Sequence, residues 1–324
     1  MGNSKIEKVR KVLEKQKYAI VGGHSGVQVC RWTRNSLNQR GVCWKEKFYR
    51  IESHRCAQIS PAVMWCENCC LHCWRPIEMN LGAKLDGVDE PKEILDGIVE
   101  ARKKLLMGFK GNKNVSKKKF EEACNPTLFT FSLSGEPTIY PRLGELIREV
   151  RGRGAVSFLV TNGLNPEAIE KLEKEGNLPT QLTVSCLPNR ELFEKWCRCS
   201  KKNGWEEFLK SLDLFKKLEG KTRRALRLTL VKEKNMSDKN VLEYAKLIKK
   251  AEPDFVHVKG FMSVGWARER LGYAKMPWHS EVRDFAEKLV EELKKEDYKI
   301  LDEVERSCVV LIGRSGVGLG IEKV

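Results

Sequence analysis

Four cysteines stand within eight residues of one another, in the segment CENCCLHC. They can be spaced as Cys66-x3-Cys70-x2-Cys73, which leaves Cys69 as a spare thiol. A structural zinc ion takes four ligands, usually from two C-x2-C pairs far apart, and no such pair occurs elsewhere in this chain. Three thiolates on one short loop suit an iron–sulfur cluster instead, with one iron left open to a substrate or cofactor.

Three further cysteines form a regular series in which Cys30, Cys43 and Cys56 stand thirteen positions apart. This is not a standard spacing for zinc or for a ferredoxin-type cluster. Dispersed cysteines are most often buried and behave as small apolar side chains. Taken alone, the series therefore leaves two alternatives, a second cluster site or three core residues.

Composition indicates a reducing compartment and a polyanionic partner. The 324 residues include 12 cysteines, and we find neither a signal-peptide segment nor an apolar run long enough to span a membrane. We therefore expect a cytoplasmic protein whose cysteines are metal or redox ligands. The 60 Lys and Arg residues exceed the 44 Asp and Glu residues, giving a net charge of +16. Such an excess favours nucleic acid only weakly, because lysine runs often form solvated faces.

Strands alternating with helices must position these residues. Six apolar, β-branched runs predict strands, and amphipathic helical segments separate them. The runs are 61–65, 127–133, 155–160, 180–186, 225–231 and 254–259. Six such units predict a parallel sheet, either an open doubly wound sheet or a partial barrel. Both folds place functional loops at the carboxyl ends of the strands, which is where the cysteine loop and the segments SGEP, TNG and SC lie.

The cysteine loop after the first strand, followed by Ser134-Gly135-Glu136-Pro137 and Thr161-Asn162-Gly163, resembles the radical S-adenosylmethionine (SAM) superfamily. The resemblance implies an α/β fold, a partial (β/α)6 barrel of the radical SAM type with an N-terminal cluster-binding extension. It implies that three cysteines hold a [4Fe–4S] cluster, namely Cys66, Cys70 and Cys73. One electron from the cluster would cleave SAM and release a 5′-deoxyadenosyl radical.

The same resemblance implies which residues contact SAM. The candidates are Ser134, Gly135, Glu136, Asn162 and Ser185. The glycine would let the backbone approach the methionine part of SAM, and the glutamate would pair with its ammonium group. Without the resemblance, the first four positions would be ordinary turns, and the Ser185 hydroxyl would be satisfied within the barrel.

The cysteine series and the loop together resemble the archaeal tRNA 4-demethylwyosine synthase family. Further matches are His24-Ser25, Cys43-x-Lys45, SGEPTIYP, LVTNG, RLTLVKEKN and MPWHSEV, which extend over residues 20–290. The resemblance implies a second [4Fe–4S] cluster on Cys30, Cys43 and Cys56. It also implies the reaction: N1-methylguanosine, 3′ of the anticodon of tRNA-Phe, gains two carbons from pyruvate and becomes 4-demethylwyosine.

Within this family Lys45 is the candidate for a catalytic lysine. Pyruvate could bind Lys45 as a Schiff base or bind the open iron of the second cluster. A solvent-exposed lysine is the alternative. Eukaryotic relatives carry a flavodoxin-like reductase domain for which this chain has no room. We therefore expect a separate electron donor of the ferredoxin or flavodoxin type. We also expect the protein to be a monomer.

Three segments divide the chain in this prediction: an N-terminal extension with the second cluster site at 1–60, the barrel at 61–298, and a C-terminal strand and tail at 299–324. Basic candidates for tRNA contact are 103–119, 195–202 and 221–224, and candidate stacking residues are Trp32, Trp44 and Trp74. The loop SCLPN departs from the family, which usually has an acidic residue and an alanine there. The alternatives are another radical SAM enzyme acting on RNA or protein, such as an activase or a methylthiotransferase, and a non-catalytic Fe–S RNA-binding protein.

Overall fold

The computed structural model describes residues 3–321, so residues 1–2 and 322–324 of the two predicted terminal segments lie outside the described residues. The strands are β1 (Tyr18–Val21), β2 (Ser25–Gln28), β3 (Cys56–Ser60), β4 (Leu128–Phe131), β5 (Val156–Thr161), β6 (Gln181–Cys186), β7 (Arg223–Leu230), β8 (Phe255–Gly260), β9 (Tyr298–Val304) and β10 (Val309–Arg314). The helices are α1 (Asn3–Lys15), α2 (Arg31–Leu37), α3 (Trp44–Tyr49), α4 (Pro91–Leu106), α5 (Lys117–Cys124), α6 (Leu143–Gly152), α7 (Pro166–Lys174), α8 (Arg190–Cys197), α9 (Gly204–Lys217), α10 (Asp238–Ala251), α11 (Trp266–Leu271) and α12 (His279–Glu292).

All ten strands form one sheet in the order β1-β2-β3-β4-β5-β6-β7-β8-β10-β9. Strands β3 to β8 are parallel, and each pairs with the next strand along the chain. The β1–β2 hairpin extends one edge in antiparallel fashion, and β10 with β9 extends the other. The six parallel strands with their crossover helices are the partial barrel that the sequence predicts.

The outer face of the sheet packs against the helices. Outward side chains such as Phe129, Leu159, Leu182 and Leu226 are fully buried, together with apolar residues of the crossover helices. Burial of apolar side chains on this face stabilises the fold. The outer face thus holds the strands in register and leaves the inner face free for other groups.

Helix α3 fills the amino end of the barrel interior. Its aromatic residues Trp44, Phe48 and Tyr49 pack against inward side chains from five strands. Those side chains are Leu128, Val156, Phe158, Ala225, Phe255, Val309 and Leu311. Cys43 and Cys56 border this cluster, so two members of the cysteine series lie directly on the apolar plug.

One predicted strand is wrong. Residues 61–65 were expected to form the first parallel strand, but that strand is β3, Cys56–Ser60, and 61–65 is a buried turn. Pro61 has no N–H to donate to a ladder, and the Val63 amide donates to the His24 carbonyl (2.9 Å) instead of a neighbouring strand. The run is apolar because the turn is buried, with residues 62–65 no more than 5% exposed.

Other differences concern short elements. The apolar pattern over 191–219 predicts one helical segment between the fourth and fifth strands, but the chain forms two helices there, α8 and α9, because Arg198 adopts a left-handed conformation (φ +47°) and ends the first. The hairpin β1–β2, strand β9 and helices α2, α3, α5 and α11 carry too few residues for a periodic pattern. No helix in the described range 3–321 is both long enough and apolar enough to cross a membrane.

Candidate active site

The cysteine loop is folded by hydrogen bonds from its own residues and from two helices. Asn80 accepts from the Cys66 amide (3.2 Å) and donates to the Cys66 carbonyl (2.8 Å), which closes the loop on itself. The Cys69 amide donates to the Cys197 carbonyl (2.7 Å) at the end of α8. Arg270 of α11 donates to the carbonyls of Leu71, Cys73 and Arg75. The loop is therefore held from both sides.

The three thiols of this loop fit a multinuclear cluster. Burial raises the pKa of Cys66 well above its usual range and that of Cys73 to about 12. A hydrogen bond with Cys197, together with burial, raises the pKa of Cys70. Thiols with a raised pKa lose their protons only when a cation binds, which couples binding to proton release.

Sulfur spacing separates the two kinds of metal site. Among the described residues, the three sulfur atoms of neither cysteine set all lie within 4.8 Å of one another. A single zinc ion with Zn–S bonds of about 2.3 Å would need sulfur atoms about 3.8 Å apart. A cubane places each thiolate on a different iron and spaces them more widely. The sulfur spacing of either cysteine set therefore does not fit a lone zinc ion.

The SGEP segment after β4 anchors the cysteine loop through its backbone. Gly135 has φ +68°, and a Cβ atom there would lie 1.7 Å from the Ala62 carbonyl oxygen. The Glu136 amide donates to the Trp65 carbonyl (2.7 Å), and the Ser134 hydroxyl donates to the Val63 carbonyl. Only glycine fits at position 135, and the close approach that requires it is to the turn that precedes the cysteine loop.

Glu136 is buried and is largely occupied by donors of this chain. Its Oε1 accepts from the Thr138 amide (3.1 Å) and hydroxyl (2.7 Å) and from the Thr161 hydroxyl (2.7 Å), and its Oε2 accepts from the Asn162 amide (2.8 Å). Burial, with a further contribution from Glu67, raises the pKa of Glu136 to about 7. Only Oε2 keeps capacity for a ligand ammonium group, so the carboxylate also ties two loops together.

Asn162 lies beside the first cysteine set. Its side-chain nitrogen Nδ2 donates to Glu67 Oε2 (3.1 Å) and approaches Cys66 Sγ at 3.8 Å. Glu67, between the cysteines of the loop, is 2% exposed and also accepts from Asn165 (2.6 Å). Sequence reasoning missed Glu67, although its position inside the cysteine motif was a usable signal. Ser185 is half-buried on the inner face of β6 and makes no side-chain hydrogen bond to another described residue.

The second cysteine set gathers at the start of three elements. Cys30 precedes α2 and accepts from the Thr33 amide (3.4 Å), Cys43 precedes α3, and Cys56 begins β3. Burial raises the pKa of Cys43 to about 12, Lys45 opposes this rise, and the thiols of Cys30 and Cys56 add to it. The Thr33 hydroxyl lies 3.3 Å from Cys30 Sγ and donates to the Cys56 carbonyl (3.4 Å), so the fold brings the series together, which spacing alone did not decide.

Lys45 points into the same region rather than to solvent. Its Nζ donates to the Thr130 hydroxyl (3.1 Å), and that hydroxyl lies 3.4 Å from Cys56 Sγ. The ammonium group also lies 5.5 Å from the centre of the Phe158 ring. One hydroxyl on the inner face of β4 therefore contacts both the predicted catalytic lysine and a predicted cluster ligand.

Two further cations line the inner wall near Lys45. Burial lowers the pKa of Arg227 on β7 and lowers that of Lys259 on β8 to about 8, with Arg227 adding to the second effect. Arg227 makes no side-chain hydrogen bond to another described residue, whereas Lys259 Nζ donates to the Ser307 carbonyl (2.6 Å). Within residues 3–321, none of the three cations pairs with a carboxylate. This wall suits a small organic anion.

The candidate RNA contacts lie at opposite ends of the barrel. Segment 195–202 packs on the cysteine loop, where the Ser200 amide donates to the Glu67 carbonyl (2.9 Å). Segments 103–119 and 221–224 precede β4 and β7, at the amino ends of the strands. Trp44 is buried in the plug, Trp32 is half-buried, and Trp74 is 38% exposed beside Cys73. Of the predicted stacking residues, Trp74 alone is both exposed and next to the cysteine loop.

Comparison with known proteins adds two family models and several relatives. The Radical SAM superfamily model matches residues 61–245, and the wyosine base formation model matches residues 250–314. The chain is 47% identical over 321 residues to an S-adenosyl-L-methionine-dependent tRNA 4-demethylwyosine synthase of Pyrococcus horikoshii, covering 98% of this chain and 92% of that protein. The protein of the same description from Methanocaldococcus jannaschii is 36% identical over 313 residues, which are 94% of this chain and 96% of that protein. A solved structure of TYW1 with a lysine–pyruvate adduct bound superposes with a TM-score of 0.85 at 35% identity, over 97% of each chain.

Proposed function

The chain belongs to the family of S-adenosyl-L-methionine-dependent tRNA 4-demethylwyosine synthases, and from that membership we propose how its residues divide the work of the reaction. It is a radical SAM enzyme of wyosine biosynthesis, with SAM and a [4Fe–4S] cluster as cofactors. Its substrate is tRNA, in which N1-methylguanosine 3′ of the anticodon becomes 4-demethylwyosine. The two added carbons come from pyruvate.

A single observation carries the assignment of roles. The barrel interior holds Lys45, the second cysteine set and the cationic wall of Arg227 and Lys259. These groups lie on the carboxyl side of the α3 plug. The first cysteine set lies at the carboxyl ends of the same strands. We call the barrel interior between the two cysteine sets the chamber. A base entering at the carboxyl ends of the strands would meet the SAM side of the chamber first and the lysine side after it.

Cys66, Cys70 and Cys73 are proposed to hold the radical SAM cluster. When bound, that cluster supplies the electron that cleaves SAM and so the radical that takes a hydrogen from the base's methyl group. Gly135 is proposed to let the backbone come close to the methionine part of SAM. Glu136 Oε2, Asn162 and Ser185 are the polar groups of this chain available to orient SAM.

A second [4Fe–4S] cluster is proposed on Cys30, Cys43 and Cys56. Support comes from the Thr33 hydroxyl, which contacts Cys30 Sγ and the Cys56 carbonyl, and from sulfur spacing that is too wide for a single ion. The Thr33 amide donates to Cys30, and Lys45 lies beside Cys43, so polar donors already face the sulfur atoms. These donors favour the thiolate form that cluster ligation needs.

Lys45 is proposed to bind pyruvate as a Schiff base. The amine attacks the keto carbon, the C=N bond forms, and the keto oxygen leaves as water. Thr130 holds the nitrogen in place, and Arg227 with Lys259 provides positive charge for the substrate carboxylate. The solved TYW1 structure with a lysine–pyruvate adduct is an observation on a relative that agrees with this role.

The test is a complete reaction. The reduced, reconstituted enzyme is incubated with SAM, pyruvate and tRNA-Phe bearing N1-methylguanosine. The tRNA is then digested, and the masses of its nucleosides are measured by mass spectrometry. We expect a tricyclic nucleoside only when pyruvate is present, and that nucleoside should carry the isotope when the keto and methyl carbons of pyruvate are labelled. Formation of 5′-deoxyadenosine without a modified base would overturn the substrate assignment and keep the radical chemistry.

The remaining assignments belong to the same proposal. Electrons come from a separate donor of the ferredoxin or flavodoxin type, the enzyme acts as a monomer, and it works in the cytoplasm, where its tRNA substrate is found. The division at residues 60 and 298 stays a prediction. Supporting it, the second cysteine set lies before residue 61; against a sharp boundary, β3 belongs to the same sheet as the barrel.

A further inference from the structure

Four aromatic side chains are the most exposed of any Trp, Tyr or Phe in the described chain. Trp278 is 70% exposed, Tyr273 62%, Trp74 38% and Trp266 37%. Single exposed aromatic residues are ordinary and need no explanation. These four, however, come from only two segments, the cysteine loop and residues 264–278. A concentration of this kind marks a binding surface.

The two segments are fixed against each other. The Trp266 amide donates to the Trp74 carbonyl (3.1 Å), and a Cβ atom at Gly265, which has φ +56°, would lie 2.5 Å from that carbonyl oxygen. Arg270, one turn further along α11, donates to three carbonyls of the cysteine loop. The aromatic segment follows β8, so it lies at the carboxyl ends of the strands, at the mouth of the chamber.

An unneutralised arginine completes the surface. The Arg268 guanidinium lies 4.8 Å from the centre of the Tyr273 ring and is exposed. No carboxylate pairs with it within residues 3–321, although Arg270 beside it pairs with Glu78. We call this set the rim surface, defined as Trp74, Trp266, Arg268, Tyr273 and Trp278.

The chemistry of the rim surface suits unpaired nucleotides. Aromatic faces stack on bases that have left a duplex or loop stack, and a free guanidinium contacts phosphate or stacks in the same way. A net charge of +16 favours a polyanion over another protein. A base that reaches the first cysteine set would leave its neighbours at the mouth, because the chain of nucleotides is continuous.

We propose that the rim surface binds the unpaired nucleotides flanking the base that is modified, with their bases on the aromatic rings and a phosphate on Arg268. The proposal rests on the proposed function and adds to it the surface that receives the RNA. The flanking nucleotides are thereby held while one base enters the chamber. Recognition at this surface is by stacking, so it tolerates changes of base identity.

The test compares Trp278→Ala and Trp266→Ala with a matched control. Leu242→Ala removes a side chain that is 47% exposed on α10, outside the two segments that carry the exposed aromatic residues. The dissociation constant of the reconstituted enzyme is measured for an anticodon-arm hairpin bearing N1-methylguanosine, at fixed salt. We expect each tryptophan variant to bind about tenfold more weakly, the order of one lost base stack. The control should bind within about twofold of the wild type.

Two further variants separate stacking from loss of structure. Trp278→Phe keeps an aromatic face and should recover most of the lost affinity. Arg268→Gln should lower the slope of log affinity against log salt by about one, since one phosphate contact is lost. Trp278→Ala should weaken binding without changing that slope.

Three results would overturn the inference, and they bear differently on the proposed function. Wild-type product formation with tryptophan variants that bind the hairpin like the wild type would remove the rim surface and leave the function standing. Normal RNA binding but slowed reduction by a flavodoxin-type donor would reassign the surface to a protein partner. A wild-type enzyme that does not bind the hairpin would overturn the function and the surface together.

Discussion

At the scale of single residues, the site combines groups that chemistry requires with groups that hold them. Lys45 and Cys56 both contact the Thr130 hydroxyl. The Glu136 carboxylate accepts most of its hydrogen bonds from donors of its own chain. A residue named for one role in a sequence motif can thus carry a second, structural role. Predictions about substitutions have to separate the two.

Substitution of Lys45 tests its proposed role directly. Lys45→Arg keeps the positive charge but removes a nucleophilic amine, so we expect no pyruvate adduct and loss of product by at least about a hundredfold, consistent with a lost covalent step. Borohydride reduction followed by mass spectrometry of the intact chain measures the adduct. Lys47→Arg, two positions away and exposed, is the matched control. An adduct that persists in Lys45→Arg would contradict the role.

Substitution of the cysteine series tests the second cluster. The triple change Cys30→Ala, Cys43→Ala and Cys56→Ala should halve the iron bound after anaerobic reconstitution, from about eight to about four per chain, if each set holds a four-iron cluster. SAM cleavage by the remaining cluster reports that the first site is intact. The control is Cys124→Ala, a half-buried cysteine outside both sets. Unchanged iron in the triple variant would show that the series is not a ligand set.

At the scale of elements, the mouth of the chamber depends on close backbone contacts between loops. The cysteine loop is held by the SGEP segment, by the end of α8 and by α11. None of these elements is next to the loop in sequence. A local fault in one of them should therefore reach the cluster ligands.

Gly135 offers the sharpest test of this dependence. Gly135→Ala would place Cβ 1.7 Å from the Ala62 carbonyl oxygen, so the SGEP segment and the cysteine loop cannot keep their contact. We expect loss of most iron from the first site and a lower melting temperature. Gly176→Ala has nearly the same φ (+64°) but nothing within 4 Å of its Cβ, so it should show only the cost of backbone strain, about 1 kcal/mol. Equal effects of the two changes would show that strain, and not the loop contact, matters.

At the scale of the whole molecule, the barrel buries polar groups that a purely structural interior would avoid. His257 is 2% exposed between the plug and the cationic wall, and Tyr49 hydrogen-bonds its Nε2. Burial lowers the pKa of His257 to about 3, and nearby cations add to this effect. The contributing cations are Arg227, Lys45, Lys259 and Arg223. A neutral imidazole is thus built into the centre of the fold.

Acid should therefore destabilise the protein partly through His257. The unfolded chain binds a proton at a pKa of about 6.5 and the folded chain does not, so the stabilisation is complete above that pH and is lost as pH falls toward 3. We expect the unfolding free energy of the metal-free chain to fall by up to about 1.4 kcal/mol more per pH unit below 6 in the wild type than in His257→Asn. Denaturant titrations between pH 7 and 4.5 measure this. Parallel pH curves for the two proteins would contradict it.

Sequence determined much of this protein because the informative patterns are local. Cys66, Cys70 and Cys73 lie within one loop, so their spacing alone indicates their chemistry. Five of the six predicted parallel strands overlap observed ones, since strands buried on both faces leave long apolar runs. The prediction of the first strand was wrong because the buried turn at 61–65 is as apolar as a buried strand. Composition and local periodicity cannot distinguish these two reasons for burial.

Tertiary structure alone decided what depends on contacts between distant segments. Cys30, Cys43 and Cys56 meet because α2, α3 and β3 begin at the same end of one sheet, and Lys45 reaches Thr130 across 85 positions of sequence. Arg227 lies in RLTLVKEKN and Trp278 in MPWHSEV, two segments that match the family, but the matches assigned no role to either residue, because single cations and aromatic residues are common and only their juxtaposition is informative. The physical reason is that the sequence specifies the type of each side chain, whereas the distance between two side chains is a property of the folded chain.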